Sequence, residues 1–246
     1  MLQRAGEARV DCIINPGSDL ESCYRAQRLA EEYEQVYHAA GLHPHYAKDI
    51  GSDQWDAFVR IAREGNPVAI GETGLDYHYD FSPREAQQHL FRKQVSFTLE
   101  LGLPIIVHCR EAYDDCLKIL DGEAPGAQWR GVMHCFTGTP DDARAFLARG
   151  FFVSFAGMIT FRNADALRET AAAVPVERLL LETDSPYLAP QPVRGKRNEP
   201  ANVAYIARVL ADIHGAGVED IARTTSANAR ALFGIAAPSS AKSGAT

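Results

Sequence analysis

The chain has 246 residues, of which 46% are hydrophobic and 23% are charged. These values are ordinary for a folded globular protein and exclude disordered and collagen-like chains. The formal net charge of -7 argues against a protein that coats nucleic acid with a broad basic surface, because such binding needs many lysines and arginines facing phosphates. A local basic patch is compatible with this charge.

The sequence offers no membrane or secretion signal. It contains no run of about 18 apolar residues that could span a bilayer, and residues 1–10 carry charges where a signal peptide would have an apolar core. We therefore predict a cytoplasmic protein. Five cysteines form no Cys-x-x-Cys pair, and we interpret them as free thiols in a reducing compartment. They are Cys12, Cys23, Cys109, Cys116 and Cys135.

The first half of the chain alternates between short apolar runs and segments with helical periodicity. Arg9 to Asn15 is predicted to be a strand, and a helix from Asp19 to about Tyr33 follows it. The next predicted elements are a strand at 36–41 and a helix at 55–64. They are followed by a strand that delivers Glu72 into a glycine-flanked turn and by a helix from 82 to 101. Ser82 is the predicted N-cap of that last helix, with proline at the first helical position.

The second half repeats the pattern. We predict, in chain order, a strand to His108, a helix at 111–120, a strand to His134, a helix at 139–149 and a strand at 151–155. A helix near 165–173 and a strand from Leu179 to Asp184 follow. After a loop at 185–199, two helices at about 202–213 and 218–232 complete the pattern, and residues 235–246 are predicted to be a disordered tail.

Strands that alternate with helices indicate parallel βαβ units. The predicted strands lie near residues 10, 37, 68, 105, 131, 151 and 179. This count of seven is one short of a (β/α)8 barrel. We therefore predict an α/β fold of the TIM type, lacking the first strand, as a single domain over residues 1–234.

Ligand-type side chains end four of these strands. In a barrel the functional groups gather at the carboxyl ends of the strands, and these four are Glu72, His108, His134 and Asp184. Each alone has an ordinary explanation, such as a hydrogen-bonded structural histidine or a turn-capping aspartate. Together they predict a divalent metal site, because imidazole and carboxylate ligands suit zinc, manganese or magnesium. Such an ion polarises a phosphoryl or acyl oxygen and lowers the pKa of a bound water.

His43 and His45 flank Pro44 just after the second strand. Because proline favours an extended residue before it and side chains alternate along extended backbone, we expect the two rings to point apart. We interpret His43 as a contact of the substrate or of a water. His45 is interpreted as a residue at a helix start or on the surface.

Three positive charges, Arg194, Lys196 and Arg197, lie in the long loop after the last strand. Such runs are usually solvated surface, but their predicted place at the mouth of the barrel favours phosphate contact as strongly, since arginine matches phosphate oxygens. We expect Arg197 to bind substrate, and Glu199 is an alternative partner for it.

Six short motifs together resemble those of the TatD family of metal-dependent deoxyribonucleases. They are Gly41-Leu-His-Pro-His45, Gly71-Glu-Thr-Gly-Leu-Asp76, His108-Cys-Arg110, His134-Cys-Phe-Thr-Gly138, Glu182-Thr-Asp-Ser-Pro-Tyr187 and Arg197-Asn-Glu-Pro200. The resemblance extends to about Gly234. It implies a TIM-type barrel that cleaves phosphodiester bonds of DNA with one or two divalent ions.

The resemblance also implies roles for single residues. Glu72 resembles the ligand able to bridge two ions, and His108 and His134 resemble ligands of one of them. Asp184 resembles a ligand that also orients the nucleophilic water. In this chain we expect Glu72 to hold one ion with the two histidines, while Asp184 captures a second only weakly.

His43 is similar to the substrate-side histidine of the family, and Arg110 contacts a phosphate by analogy. We expect Glu72, His43 and Asp184 to be the catalytic residues. DNA is the predicted substrate, with a preference for single strands or strand ends, because a barrel-mouth pocket accommodates these more readily than intact duplex. The sequence indicates no protein partner.

One departure from the family pattern concerns the first strand. Many members begin with a strand bearing His-x-His, whereas this sequence opens at what corresponds to the helix before the second strand. Three explanations compete: the printed start omits residues, a partner chain or helix covers the gap, or the barrel tolerates distortion. An open seam would leave unpaired strand edges, which are a liability. We favour the first explanation, because Met1-Leu2 resembles an internal helix start.

Two other functions stay open at this point. An amidase- or esterase-type hydrolase of a charged substrate would use the same ions, because they polarise an acyl carbonyl equally well. A barrel without catalytic activity is the third hypothesis, suggested by the missing strand.

Overall fold

The computed structural model describes residues 1–79 and 81–236. Within them the chain forms the seven strands that the sequence predicted. They are β1 (Ile13–Pro16), β2 (Val36–Ala39), β3 (Ile70–Asp76), β4 (Ile105–Arg110), β5 (Gly131–His134), β6 (Phe152–Phe155) and β7 (Leu179–Leu181).

Each strand lies beside its neighbour in the sequence, and all the pairs are parallel. β1 pairs with β2, and β3 to β7 form a five-stranded sheet in chain order. A parallel bridge between Ala40 and Ile70 joins the two groups. Within the described residues no ladder joins β7 to β1. The result is the strand series of a TIM-type fold, open at the position where the first strand was missing from the prediction.

Nine helices occur in the described residues, and they surround and connect the strands. They are α1 (Leu2–Glu7), α2 (Leu20–Glu32), α3 (Ser52–Glu64), α4 (Arg84–Leu101), α5 (Tyr113–Glu123), α6 (Pro140–Ala148), α7 (Asp165–Ala172), α8 (Val203–His214) and α9 (Val218–Phe233). Their starts follow the expected chemistry at α2, where the Asp19 carboxylate accepts a hydrogen bond from the Ser22 amide. At α4 the prediction was wrong by one residue, because Pro83 is the N-cap and the Ser82 hydroxyl donates to the carbonyl of His45.

The first strand starts later than predicted. Arg9 has a left-handed φ of 61°, and the amide of Val10 donates to the carbonyl of Ala5. Residues 8–10 therefore close α1 instead of extending β1.

α1 ties the N-terminal region to the loop that follows β7. It packs against a 3-10 turn at Pro200–Asn202, with Ala5 fully buried. Arg4 forms a bidentate pair with Glu199, with a shortest distance of 2.6 Å from Nη2 to Oε2. Residues on either side of the open position are thus in contact through the helix.

An apolar layer inside the strand series positions the polar strand ends. Ile106 and Val132 pair in register and pack with Phe233 from the end of α9. His108 and His134 follow them by two residues, so they share the same face one step closer to the carboxyl ends of the strands. They are also paired in register with each other.

Among the helices that the structure describes, none has the length and apolarity needed to cross a bilayer. The tail predicted at residues 235–246 lies outside the described residues from 237 onward. The single domain over residues 1–234 stays a prediction.

Candidate metal centre

Glu72 lies within β3, not in a turn after it, so this part of the prediction was wrong. The pairing of β3 with β4 shifts register between Ile70 and Thr73, and such irregularities re-aim a side chain. Gly71 makes the shift possible, because it has a φ of 147° and a Cβ there would lie 2.5 Å from the carbonyl oxygen of Ile106. The strand then continues to Asp76.

His108 is bound to a carboxylate on each side of its ring. Its Nδ1 lies 2.9 Å from Glu72 Oε1, and its Nε2 lies 3.0 Å from Asp76 Oδ2. Asp76 is only 1% exposed, and the sequence analysis gave it no role. A signal was available, since Asp76 follows Glu72 by four residues and an even spacing favours the same face of a strand.

His134 has one ring nitrogen bound and the other directed at Glu72. Its Nδ1 lies 3.0 Å from Glu182 Oε2, while its Nε2 lies 3.5 Å from Glu72 Oε1. Asp184 Oδ1 is 3.8 Å from the same Nε2. Glu182 also had no predicted role, although it follows β7 directly and precedes Asp184 by two residues.

His43 joins this group from the end of β2. Its Nε2 lies 3.4 Å from Glu72 Oε1, and the donor atoms of His43, Glu72 and His108 all lie within 4.8 Å of one another. The sequence analysis placed His43 on the substrate side. The geometry makes it a candidate metal ligand as well.

His45 lies in the first turn of a 3-10 helix, which confirms the helix-start interpretation, and its side chain is only partly exposed. The rings of His43 and His45 are 4.3 Å apart, because a 3-10 turn at Pro44–Asp49 bends the chain where extended backbone was expected. His45 Nε2 lies 2.9 Å from Asp76 Oδ2. Asp76 therefore binds His45 and His108 through one oxygen.

The buried charges stabilise one another. Burial alone would raise the pKa of Glu72, but the charge of His134 and hydrogen bonds with His108 and His43 outweigh it and hold that pKa well below its usual value. Burial would lower the pKa of His108, but its bonds to Asp76 and Glu72 raise it to about 9. His108 therefore holds a proton that an incoming cation would displace.

Asp184 has the opposite shift. Burial raises the pKa of Asp184, and the negative charges of Glu182 and Glu72 add to this effect. The charge of His134 opposes it, and the result is a pKa of about 7. Three carboxylates thus face one imidazole, His134, at this side of the site. A bound cation would relieve their mutual repulsion.

The residues present fit a divalent cation. Glu182 Oε1 is buried and has no hydrogen-bond partner among the described residues, so a carboxylate oxygen beside the site is free to face a positive charge or a water. The bond from Glu182 to Nδ1 of His134 leaves Nε2 available, which is how carboxylates commonly orient metal-binding histidines. Mixed imidazole and carboxylate donors suit zinc and related ions.

The predicted phosphate contacts follow two different strands. Arg110 ends β4, and its guanidinium carbon lies 4.9 Å from the ring centre of Tyr79. Arg197 is exposed in the loop after β7. Glu199, the alternative partner considered for Arg197, binds Arg4 instead. Arg194 packs over the ring of Phe161, at 4.3 Å.

Comparison with known proteins identifies the family of the chain. The family model described as TatD related DNase matches residues 1–234. The chain is 41% identical to an uncharacterized metal-dependent hydrolase, YabD, of Bacillus subtilis, over 96% of this chain and 92% of that protein. It is 39% identical to the 3'-5' ssDNA/RNA exonuclease TatD of Citrobacter rodentium, over 96% and 91%.

The fold comparison agrees. The crystal structure of YjjV, a TatD homolog from Escherichia coli K12, matches with a TM-score of 0.89 at 32% identity, over 96% of this chain and 91% of that one. The family model, the relatives and the fold thus agree on one family. The chain belongs to the TatD related DNase family and is a metal-dependent hydrolase.

Proposed function

We propose that this protein is a divalent-metal-dependent exonuclease that removes nucleotides from the 3' end of single-stranded DNA or RNA. The observation that carries the proposal is the convergence of His43, His108 and His134 on the carboxylate of Glu72, each with a ring nitrogen within 3.5 Å of Oε1. The direction of digestion and the substrate follow the named activity of a relative that shares 39% identity.

In this proposal Glu72, His108, His134 and Asp184 hold magnesium, manganese or zinc. When bound, the cation polarises a phosphoryl oxygen and lowers the pKa of a coordinated water. Asp184 would orient the attacking water and accept its proton, because its carboxylate lies beside the ligand set, with Oδ1 3.8 Å from Nε2 of His134.

A histidine and two arginines would bind the substrate around this centre. His43 contacts the scissile phosphate from the β2 side, and its position 3.4 Å from Glu72 supports that role. Arg110 and Arg197 bind neighbouring phosphates, since guanidinium groups match phosphate oxygens. These local contacts are compatible with the acidic charge of the whole chain. DNA or RNA is therefore the proposed partner, and the cytoplasm stays the predicted location.

The two alternatives from the sequence receive less support. Among the residues that the structure describes, no separate feature of the site favours the acyl substrate of the amidase or esterase hypothesis. The hypothesis of an inactive barrel rested on the absence of the His-x-His strand. Without that strand, Glu72 still lies in one cluster with four other candidate ligands, which are His43, His108, His134 and Asp184.

The test is digestion of 5'-labelled single-stranded DNA and RNA in magnesium, manganese or zinc. We expect stepwise shortening from the 3' end, loss of activity with chelator, and a loss of at least about 100-fold for Glu72→Ala, because the carboxylate common to the set is removed. Glu64→Ala, at an exposed position at the end of α3, is the matched control and should retain full activity. Activity that survives both chelator and Glu72→Ala would contradict the proposal.

A further inference from the structure

Two exposed aromatic side chains lie just beyond the end of β3. Tyr79 is 41% exposed and Phe81 is 53% exposed. Their rings are stacked on each other, with centres 5.2 Å apart and planes inclined by 16°. Single exposed aromatic residues are common on protein surfaces, but a stacked pair is a flat, ordered apolar surface that faces solvent.

The pair is connected directly to the candidate metal centre. The ring of His45 contacts Phe81 edge-on at 4.8 Å and Tyr79 at 5.6 Å. Asp76 binds His45 on one side and the candidate ligand His108 on the other. One histidine ring and one carboxylate thus separate the aromatic pair from His108.

The backbone that leads to Tyr79 is held by the same carboxylate. Asp76 Oδ1 accepts hydrogen bonds from the backbone amides of His78 and Tyr79, both at 3.0 Å. The position of Tyr79 relative to the centre is therefore set by these hydrogen bonds, and Phe81 stacks on Tyr79. An ordered surface of this kind loses less entropy when it binds a ligand than a free side chain does.

A positive charge accompanies the aromatic pair. The guanidinium carbon of Arg110 lies 4.9 Å from the ring centre of Tyr79. Arg110 follows His108 by two residues in β4 and is paired in register with Asp76. Aromatic and guanidinium groups side by side are suited to binding a base and the phosphate beside it.

We propose that Tyr79 and Phe81 form a stacking platform for a base of the nucleic acid strand, next to the scissile phosphate, with Arg110 on an adjacent phosphate. This inference rests on the proposed function. It adds that the site recognises a nucleotide unit with an intact base, whichever base it is, because every base offers a face for stacking.

Tyr187 is a competing candidate, since it is 71% exposed and follows Asp184 by three residues. Among the described residues, however, its ring stacks on no other ring and lies under no cation. Tyr79 and Phe81 stack on each other, and Arg110 lies over Tyr79. For this reason they are the better platform.

The experiment is a double-mutant cycle between the platform and the base. Single-stranded oligonucleotides carry an abasic site at each of the last positions before the 3' end in turn, and KM and kcat are measured for the wild type and for Phe81→Ala. With intact DNA we expect Phe81→Ala to raise KM about fivefold to 100-fold, the range for one base stacked on an aromatic ring. With the abasic site at the stacked position, the same substitution should change KM by less than about twofold.

Three further variants make the result specific. Phe81→Trp should retain tight binding because it keeps an aromatic face, whereas Phe81→Leu keeps apolar bulk and should behave like Phe81→Ala. Tyr24→Ala, at an exposed aromatic position on α2, is the matched control and should leave KM unchanged. The Leu variant also separates loss of stacking from any loss of folding in the Ala variant.

The proposal is overturned if Phe81→Leu leaves KM for intact DNA unchanged, or raises it equally for intact and abasic strands. Either result is distinct from failure of the proposed function. If the wild type cleaves no nucleic acid in any metal, the exonuclease itself is wrong. If the wild type cleaves abasic and intact strands with the same KM, the exonuclease activity is confirmed and the stacking platform is wrong.

Discussion

His108 and His134 are paired in register on neighbouring strands, yet their surroundings differ. His108, on the β3 side, has a carboxylate on each ring nitrogen, at 2.9 and 3.0 Å. His134, on the β7 side, has one nitrogen bound to Glu182, and its other nitrogen is 3.5 Å from Glu72. The β7 side is thus already arranged for an incoming cation, whereas His108 must release or share one carboxylate to become a ligand.

Besides Glu72, His108 has Asp76 as a partner and His134 has Glu182. These two carboxylates also differ in how firmly they are held. Asp76 is almost fully buried and accepts bonds from two backbone amides as well as from two histidines. Glu182 has one oxygen without a partner among the described residues. We infer that Asp76 stabilises the local fold, and that Glu182 mainly adjusts the charge and orientation of His134.

Removal of Asp76 should have the largest effect. In Asp76→Ala, His45, His108 and two backbone amides lose their common partner. Breaking such a buried charged network costs about 3–5 kcal/mol, and we expect the free energy of unfolding in urea to fall by that amount. The exposed Asp114→Ala, in the first turn of α5, is the control. If the free energy of unfolding falls no more than in the control, the inference that Asp76 stabilises the local fold is wrong.

Glu182→Gln should have an intermediate effect, on metal binding instead of stability. Loss of a carboxylate that orients a metal-binding histidine typically lowers metal affinity about 10- to 100-fold, measured here by titration with manganese. The charge of Glu182 raises the pKa of His134 in opposition to burial. The substitution should therefore lower that pKa, which NMR of the imidazole nitrogens would detect. An unchanged pKa would contradict the role assigned to Glu182.

Arg197→Ala should have the smallest effect. This exposed side chain lies on the β7 side of the site, and loss of one phosphate contact should reduce the salt dependence of single-strand binding by about 0.7 in the slope of log K against log salt. Arg208→Ala, at an exposed position on α8, is the control. If both variants bind DNA as the wild type does, Arg197 lies outside the substrate path and the acyl-substrate alternative gains support.

Local sequence signals explain why so much of the fold was predictable. The short apolar runs match the observed strands, and capping residues such as Asp19 and Thr139 mark true helix starts. These features depend on residues a few positions apart, so periodicity and side-chain chemistry are sufficient to recognise them. The starts of β1 and α4 were misplaced because Arg9 and Ser82 form bonds that their residue types do not announce.

The sequence by itself determined the seven-strand order and the residue types that converge at the site, because both follow from local patterning and from short family motifs. Only the tertiary structure revealed the register shift that turns Glu72 inward, the common carboxylate of His45 and His108, and the bond from Glu182 to His134. The contacts of Asp76 with His45 and His108, and of Glu182 with His134, join residues 31 to 48 positions apart in the sequence. Their partners are chosen by strand register and by the burial of charge, which no local pattern encodes.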